Sequence, residues 1–345
     1  MFMMNSRPNN RERTYNEAYR NPIEEYEDEQ FLIEFRMTKE EVRMLCDLLR
    51  EDLKCRGNRK CDLSVEHKVL ISLKTLASGS FQHSAKDFLR VSQPVVSRTL
   101  EAFANALIKK ASHFIYMPRN NDEKEATKSK FYGAANFPGV LGCIDGSHIP
   151  IIAPSVDEPM YVNRKKFHSI NIQAVCDADA VFLDVVAKHP GSFHDSFILQ
   201  SSGLHDRFER GEFGDGWLLG DSGYALKSWL LTPILNPVGN REKSYNKKHK
   251  KTRSLIERAF GILKSRWRII DHTGGRLCYT PLKVCKLIYV CCILHNICRR
   301  NGTPLLGDNR ETPQEIIIET EATGPTTSGE RQRARVIGLI ASNAN

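Results

Sequence analysis

The sequence lacks the features of membrane, secreted and zinc-ribbon proteins. Its longest apolar run, residues 287–297, is too short to span a bilayer and is interrupted by Tyr289, His295 and Asn296, so we expect no membrane association. The first residues contain no apolar stretch typical of a signal peptide, so we expect the chain to remain inside the cell. An intracellular chain keeps its 10 cysteines reduced, and no Cys-x-x-Cys pair is present to bind structural zinc.

The composition is that of a folded, basic protein. A length of 345 residues suits two domains, or one domain with a small appendage. A hydrophobic fraction of 41% is enough to build a core. The formal net charge of +9 favours an anionic partner, with nucleic acid first, although many basic proteins bind none.

Changes in composition divide the chain into five segments. Mixed charge and few apolar residues predict flexibility at both ends, whereas helical and strand-like patterns occupy the centre. The predicted segments are a flexible arm (1–36), a small all-α helix-turn-helix-like region (37–116), a polar linker (117–137), an α/β domain (138–301) and a mostly disordered tail (302–345) with room for a short helix at 331–340.

The all-α region has a pattern similar to a helix-turn-helix. Amphipathic helices begin near Ser64 and Ser92, and a short helix at residues 85–89 lies between them. Pro94 in the first turn of the last helix is typical of a helix start. Three polar residues near this start would contact DNA bases and phosphates: Gln93, Ser97 and Arg98. The alternative is an ordinary helical bundle, because many bundles contain such a helix pair.

In the α/β domain, a buried strand carries an acid. Residues 140–144 are mostly apolar and predict a strand that delivers Asp145 at its end. Gly146 allows the backbone to turn or to be approached closely. Burying a carboxylate here is costly unless a partner compensates its charge, and a metal ion is a common partner.

A hairpin and a helix follow this strand. Residues 170–176 and 181–188 predict antiparallel strands around a turn-rich tetrapeptide. Asp195 then resembles the second member of a capping pair that opens a helix. Capping is the simpler explanation for His194 and Asp195, and support of a nearby site is the other. Three adjacent strands followed by a helix indicate a mixed sheet flanked by helices.

A second strand repeats the first arrangement, and a helix adds a third acid. Residues 217–219 predict a short buried strand followed by Asp221, so two strands each deliver an Asp with a glycine close behind. The helix predicted at residues 250–268 carries Glu257 on a basic face. The basic residues of that face are Lys250, Arg253 and Lys264. The face is either solvated, with a salt bridge inside it, or a phosphate track that holds a third metal ligand.

Two basic segments lie near these acids in the chain. The first contains Arg164, Lys165 and Lys166, and the second runs from Lys247 to Arg253. Each is a candidate for phosphate contacts. Each is equally compatible with a nuclear import signal or a solvated surface.

The order of these features is that of an RNase H-like nuclease core. A strand-borne Asp, a hairpin, a helix, a second strand-borne Asp and a helix-borne Glu follow one another along the chain. In such a core, acids from two strands and a helix hold two divalent cations, which activate water and stabilise the leaving oxygen of a phosphodiester.

From residue 63 to 300 the sequence resembles the PIF/Harbinger transposases and the nucleases domesticated from them. The matching stretches are residues 78–82, 139–146, 161–165, 190–192, 217–222, 256–258 and 291–296. The resemblance implies that Asp145, Asp221 and Glu257 form a catalytic, metal-binding triad with Mg²⁺ or Mn²⁺ as cofactor. It also implies residence in the nucleus, with the cytoplasm left open, and a Myb/SANT-like partner protein that helps with DNA binding.

We therefore expect a metal-dependent DNA endonuclease of transposase ancestry that hydrolyses phosphodiester bonds at a two-metal Asp-Asp-Glu site. The alternative is a catalytically idle DNA-binding or scaffold protein domesticated from a transposase. The intact acids favour the nuclease, because a scaffold has no need to keep a charge-dense cluster.

Overall fold

The computed structural model describes residues 21–54, 63–78, 91–271, 275–305 and 326–342. Its α-helices are α1 (Pro22–Glu25), α2 (Asp28–Phe35), α3 (Lys39–Leu53), α4 (Val65–Ser78), α5 (Gln93–Ile108), α6 (Asn121–Ala135), α7 (Asp195–Gln200), α8 (Gly203–Glu209), α9 (Gly239–Arg266), α10 (Pro281–Arg300) and α11 (Thr327–Ser342). Its strands are β1 (Val140–Pro150), β2 (Ser169–Cys176), β3 (Phe182–Pro190), β4 (Trp217–Leu219) and β5 (Leu230–Leu231).

A mixed sheet with strand order β3-β2-β1-β4-β5 forms the centre of the described chain. β2 pairs antiparallel with both β1 and β3, whereas β4 and β5 run parallel to β1. Every residue of β2 is buried, as expected of a strand covered on both faces. The predicted α/β class, with a mixed sheet flanked by helices, is confirmed.

The predicted hairpin is β2 and β3. Asp177 begins its turn, and the carboxylate Oδ1 of Asp177 accepts the backbone N–H groups of Asp179 and Val181 at 2.9 and 2.8 Å. An Asp side chain that bonds the backbone two residues ahead fixes a tight turn, which is why this polar tetrapeptide joins two buried strands.

The two faces of the sheet pack against different helices. Cys143 of β1 lies in a hydrophobic cluster with Ile256 of α9 and Leu287 of α10. Its neighbour Ile144 lies in a second cluster with Leu204 of α8. Successive side chains of a strand point to opposite faces. The α9 face and the α8 face of β1 therefore receive alternate residues.

The helical region packs onto the sheet domain. α3, α4 and α5 contact one another, and α5 also contacts α10. Leu45 of α3 and Leu100 of α5 belong to the same hydrophobic cluster as Leu287 of α10, so the region shares a core with the sheet. The apolar face of the amphipathic helix predicted from Ser92 is fully buried in α5: Val96, Leu100, Phe103 and Leu107. The short helix predicted at residues 85–89 lies outside the described residues.

Helix α10 is a core helix. By length and composition it is the one helix in the described ranges that could cross a membrane, and 67% of that apolar window is buried. Val284 and Cys291 are fully buried, and the ring of His295 is hydrogen bonded through Nε2 to the carbonyl oxygen of Ala180 at 2.7 Å. Asn296 donates Nδ2 to the carbonyl oxygen of Phe182 at 2.7 Å, which ties the helix to β3.

Part of the predicted N-terminal arm is folded. The prediction of flexibility over residues 1–36 is wrong for Pro22–Phe35, where α1 and α2 form and Phe31 and Phe35 are fully buried. These two aromatic residues lie four positions apart, so one face of α2 packs on the core despite the acidic sequence around it.

The predicted linker and tail are also partly helical. Within residues 117–137, α6 begins at an N-cap, Asn120, whose Oδ1 accepts the N–H of Glu123 at 2.8 Å. Phe131 of α6 is fully buried. Within the predicted tail, α11 packs on α9 and β5 and buries Val336. The linker prediction missed α6, whose few apolar residues lie on a single packed face. The short helix expected at residues 331–340 lies within α11, which is longer than predicted.

Helix α9 is longer than predicted. It begins at Gly239 rather than near residue 250, and it ends at Arg266. The lysine-rich segment before residue 250 is therefore the first half of the helix. Tyr245 and His249 supply the buried side of this half. Tyr245 donates to the carbonyl oxygen of Thr232 at 3.0 Å.

Candidate active site

The parallel strands bring two acids to one edge of the sheet. Cys143 of β1 is in register with Leu219 of β4, so Asp145 and Asp221 each lie two positions beyond a paired residue. The prediction that β1 ends at Asp145 is wrong, because the strand continues to Pro150. The longer β2 supplies its antiparallel partners after the shorter β4 has stopped.

Arg253 of α9 lies between the acids. Its Nη1 donates to Asp145 Oδ2 at 2.8 Å, and its Nη2 donates to Glu257 Oε1. Asp221 acts on the same guanidinium through its charge. The three acids that the sequence singled out therefore converge on one buried cation.

Neither interpretation of the basic face fits Arg253. Its side chain is 8% exposed, which excludes both a solvated salt bridge and an open phosphate contact. The Arg253–Glu257 pair is local to the helix, but Asp145 is 108 residues away in sequence. Sequence periodicity cannot reveal that partner. The Asp145 side chain is 17% exposed and that of Glu257 is 50% exposed, so Glu257 faces the solvent side of the site.

Burial and neighbouring charges perturb both aspartates. Burial raises the pKa of the Asp145 carboxyl well above its ordinary value, Arg253 lowers it, and Asp221 and Asp195 raise it further. Burial also raises the pKa of Asp221, against the lowering effect of Arg253 and of the hydrogen bond from the Gly223 N–H. Two desolvated carboxyls with raised pKa values at one point favour a cation between them.

The donor chemistry suits a hard divalent cation, but Arg253 supplies the positive charge in the present arrangement. Carboxylate oxygens are the ligands that Mg²⁺ and Mn²⁺ prefer, and Asp145, Asp221 and Glu257 offer only such oxygens. Over the described part of the chain, no group of three or more His, Cys, Asp or Glu side chains is drawn together closely enough to hold a metal ion. The acids fit the ion chemically, with the guanidinium as their present counter-charge.

Asp195 approaches the same strand from the opposite face of the sheet. Its Oδ1 accepts from Asn171 Nδ2 at 2.9 Å. A Cβ on Gly146 would lie 2.4 Å from Asp195 Oδ1, so only glycine allows this approach. Asp145 and Gly146 are consecutive in β1, so they face opposite sides of the sheet. Asp145 is on the α9 face, and Gly146 is on the α8 face, where Asp195 of α7 approaches it.

The predicted capping role is wrong for His194. His194 is the N-cap residue of α7 by backbone position and makes no capping hydrogen bond with its side chain. Its Nδ1 instead contacts Nη2 of Arg164. Asp195 bonds to Asn171 of β2, and its charge acts on Asp145. Asp195 therefore lies beside the acid triad rather than within it.

Sequence reasoning missed the polar residues of β2 that hold Asp195. Gln173 Nε2 donates to the backbone oxygen of Asp195 at 2.7 Å and to the Tyr224 hydroxyl at 2.9 Å. Tyr224 is 1% exposed. A signal was available, because Ser169, Asn171 and Gln173 alternate with apolar residues and thus form one polar face of a buried strand.

Basic residues from separate segments meet next to β1. Burial lowers the pKa of His148 to about 4, and the charges of Lys264, Lys165 and Arg164 lower it as well. Lys264 also donates to Ser147 Oγ at 2.7 Å. We name Arg164, Lys165 and Lys264 the basic rim. Its members come from the loop after β1 and from α9, and they lie beside the strand that carries Asp145.

The loop of the basic rim is held by one buried residue. Asn163 Oδ1 accepts the backbone N–H groups of Lys165 at 2.9 Å and Phe167 at 3.3 Å. Lys166, which the sequence grouped with its two neighbours, is exposed and adopts a left-handed φ of 63°. Arg164 acts on Asp221 as well as on His148, which locates the loop near both acids of the sheet edge.

The remaining predicted DNA contacts have different surroundings. Lys247 and Lys250 are exposed on the first half of α9. Gln93 and Arg98 are exposed on α5. Ser97 is half-buried, and Lys283 of α10 donates to its hydroxyl at 3.1 Å. Ser97 therefore belongs to the contact between α5 and α10, and its contact with DNA stays a prediction.

Comparison with known proteins gives one consistent result. The family described as DDE superfamily endonuclease matches residues 144–296. The chain is 37% identical over 305 residues to "Putative nuclease HARBI1" of Homo sapiens, a match that covers 87% of each chain. It is 36% identical to the Bos taurus protein of the same name, with the same coverage. It is 30% identical to "Protein ALP1-like" of Arabidopsis thaliana, over 76% of this chain and 69% of that one. No solved structure matches significantly.

Proposed function

The chain belongs to the Harbinger transposase-derived nucleases of the DDE endonuclease superfamily, and from this membership we propose that it hydrolyses DNA phosphodiester bonds at Asp145, Asp221 and Glu257. The observation that carries the proposal is the meeting of these acids around Arg253. They come from two strands and a helix far apart in sequence, and a structural salt bridge needs only one of them.

Each acid has a distinct place in the proposed site. Asp145, Asp221 and Glu257 would hold Mg²⁺ or Mn²⁺, which when bound supplies activated water and stabilises the leaving oxygen. Asp145 and Asp221 are fixed at the sheet edge by strand register. Glu257 is half-exposed and reaches the site from the solvent side. DNA would therefore enter over α9.

Arg253 would have a positioning role in this site. It neutralises Asp145 and Glu257 and keeps both side chains directed to the same point. A cation that binds the acids competes with the guanidinium for the same oxygens. Loading of the site would therefore move Arg253 away from at least one acid.

The basic residues divide into groups with different proposed contacts. The basic rim of Arg164, Lys165 and Lys264 would hold phosphates next to the scissile bond, with Lys166 at its exposed end. Lys247 and Lys250 would continue this track along α9. Gln93 and Arg98 of α5 would contact DNA further from the acids.

On family membership alone we also propose residence in the nucleus and a Myb/SANT-like partner.

One observation favours a second function. Arg253 forms ion pairs with Asp145 and Glu257, so these acids have a structural role that the fold can use even if no reaction occurs. A catalytically idle DNA-binding scaffold would keep the basic rim and use the acid cluster only as a structural ion pair.

Nicking of supercoiled plasmid DNA with Mg²⁺ or Mn²⁺ distinguishes the two functions. We expect Asp145→Asn, Asp221→Asn and Glu257→Gln each to abolish nicking while DNA binding persists. Asp122→Asn is the matched control, since this exposed acid lies on α6. Nicking that survives all three substitutions would rule out the site. Binding without nicking by the unmodified chain would favour the scaffold.

A further inference from the structure

The loop between β5 and α9, residues 232–238, begins at the sheet edge that carries the acids. β4 and β5 are parallel, with Leu219 in register with Leu231. Asp221 and Pro233 therefore follow their strands at equivalent positions. Because Cys143 is in register with Leu219, Asp145 belongs to the same row. β1 and β5 are separated only by β4, so about 10 Å divides their ends.

Two large apolar side chains of this loop are directed into solvent. Leu235 is 69% exposed and Val238 is 80% exposed. We name these two residues the apolar tip. An isolated exposed apolar residue is ordinary on a protein surface, but two in one short loop next to a charged site are less so.

The loop presents the apolar tip rigidly. Asn246 of α9 bonds both backbone groups of Ile234, with its Oδ1 accepting the N–H at 2.9 Å and its Nδ2 donating to the carbonyl oxygen at 2.7 Å. Glu242 Oε2 accepts the N–H of Val238 at 2.6 Å. Pro233 and Pro237 restrict the backbone further. The apolar tip is therefore ordered before any partner binds, which reduces the entropy lost on binding.

Cations lie beside the apolar tip. Lys243, Lys247 and Lys250 recur on one side of the first half of α9 and are exposed. None of the three makes an ion pair with another residue in the described ranges, so their charges are available to a partner. An apolar protein surface would leave these ammonium groups desolvated and unpaired. A polyanion with an apolar interior would satisfy both features, and duplex DNA is such a partner.

The spacing matches a duplex held at the acids. Asn246 precedes Arg253 by about 10 Å along α9 at 1.5 Å per residue. The apolar tip thus lies on the order of 10–15 Å from the acids, or about three to four base steps at 3.4 Å each. A duplex whose phosphodiester reaches Asp145 would cover the apolar tip within the same half-turn.

We propose that Leu235 and Val238 insert against the base stack a few base pairs from the bond to be cut and partly unstack it. This inference rests on the proposed function, because it requires DNA over the acids. Apolar side chains that enter between base steps kink the duplex there. Pyrimidine–purine steps deform most easily, so the preferred substrate would carry a TA or CA step opposite the apolar tip.

Duplexes with 2-aminopurine at successive positions report the unstacking, since its fluorescence rises when the base leaves the stack. The full chain is mixed with these duplexes in EDTA, so no cleavage is needed. We expect a fluorescence rise at one or two adjacent positions, and loss of that rise in Leu235→Ala/Val238→Ala. Ile33→Ala, at an exposed residue of α2, is the matched control and should keep the full rise. Thermal unfolding verifies that all variants are folded.

Several outcomes would overturn the inference. These are no rise with the unmodified chain, an equal rise in the double variant, or a failure of the unmodified chain to bind the duplexes. Loss of self-association in the double variant with an unchanged fluorescence rise would assign the apolar tip to a protein contact instead. Absence of plasmid nicking with the fluorescence rise intact would contradict the proposed function alone. The two ideas can therefore fail separately.

Discussion

Replacing Arg253 by methionine should reveal how much the acid cluster depends on its internal cation. Arg253→Met keeps an unbranched apolar stem but removes the guanidinium that bonds Asp145 and Glu257. Asp145 would then be a buried carboxylate, 17% exposed, without a cationic partner. Breaking a buried ion pair by removing one partner costs about 3–5 kcal/mol, and the half-exposed Glu257 adds little to this.

Protonation of Asp145 limits the destabilisation by Arg253→Met and makes it depend on pH. The pKa of Asp145 is already raised by burial, and loss of Arg253 removes the larger of the two influences that lower it, the other being the Gly146 N–H. A carboxyl whose pKa is higher in the folded state stabilises the fold fully below the unfolded pKa of 3.8, and this contribution is lost as the pH rises through the folded value. The destabilisation by Arg253→Met should therefore be smaller at acid pH than at pH 8.

Urea unfolding with EDTA and with Mg²⁺ or Mn²⁺ tests this reasoning. In EDTA at pH 8 we expect the free energy of unfolding to fall by about 3 kcal/mol. Metal should restore more stability to Arg253→Met than to the unmodified chain, because the ion no longer competes with a guanidinium. Saturation at a hundred times the Kd is worth about 2.7 kcal/mol.

A matched variant defines the result that would refute it. Lys251→Met removes an exposed charge from the same helix and should change stability by no more than about 0.5 kcal/mol. If Arg253→Met loses no more stability than Lys251→Met, the acids are not charge-compensated by Arg253. If metal stabilises both variants equally, Arg253 and the ion do not share the same oxygens.

Three further predictions concern a close contact, a buried histidine and the basic rim. Gly146→Ala places a Cβ 2.4 Å from Asp195 Oδ1, so we expect a loss of about 1–3 kcal/mol in urea unfolding, whereas Gly133→Ala, with nothing within 4 Å, should be neutral or stabilising. Burial lowers the pKa of His295 to about 3. The stability that the neutral ring contributes should therefore be lost as the pH falls from about 6.5 towards 3. His295→Gln should make the free energy of unfolding fall less steeply over this range, which we call the acid limb. Lys264→Met should weaken DNA binding and make the slope of log K against log salt shallower by about 0.9.

Each of these predictions has a contradicting result. Equal stability of Gly146→Ala and Gly133→Ala would mean that Asp195 does not rest on β1. An unchanged acid limb in His295→Gln would mean that other groups set it, with His249 and its similarly lowered pKa of about 4 as the first to test. Lys188→Met, at an exposed site, is the control for Lys264→Met. If the two variants give equally steep salt slopes, Lys264 does not contact the phosphates.

Short-range patterns were sufficient to find the acids. Apolar strands before Asp145 and Asp221 are visible within a few residues, as are the amphipathic stripes of α5 and α10. The hairpin around Asp177 follows from turn chemistry in one tetrapeptide. These features depend on residues that are neighbours in the chain, so the sequence contains all the information they require.

Two helices lie in segments whose charged and polar composition predicted flexibility. α2 follows a run of acidic residues and α6 is mostly polar, and each is held by buried aromatic side chains such as Phe35 and Phe131. Their helices are stable because the rest of the fold provides a surface to pack against. Composition alone therefore indicated flexibility where tertiary packing supplies order.

The sequence by itself determined the three acids, their order and the class of the sheet, because each arises from local periodicity. Only the tertiary structure decided what surrounds them. Strand register aligned Asp145 with Asp221, and the packing of α9 placed Arg253 between Asp145 and Glu257. Because Gly146 has no Cβ, Asp195 can approach β1 from the opposite face of the sheet. These contacts join residues far apart in sequence, and their geometry depends on register and helix position rather than on any pattern within a segment.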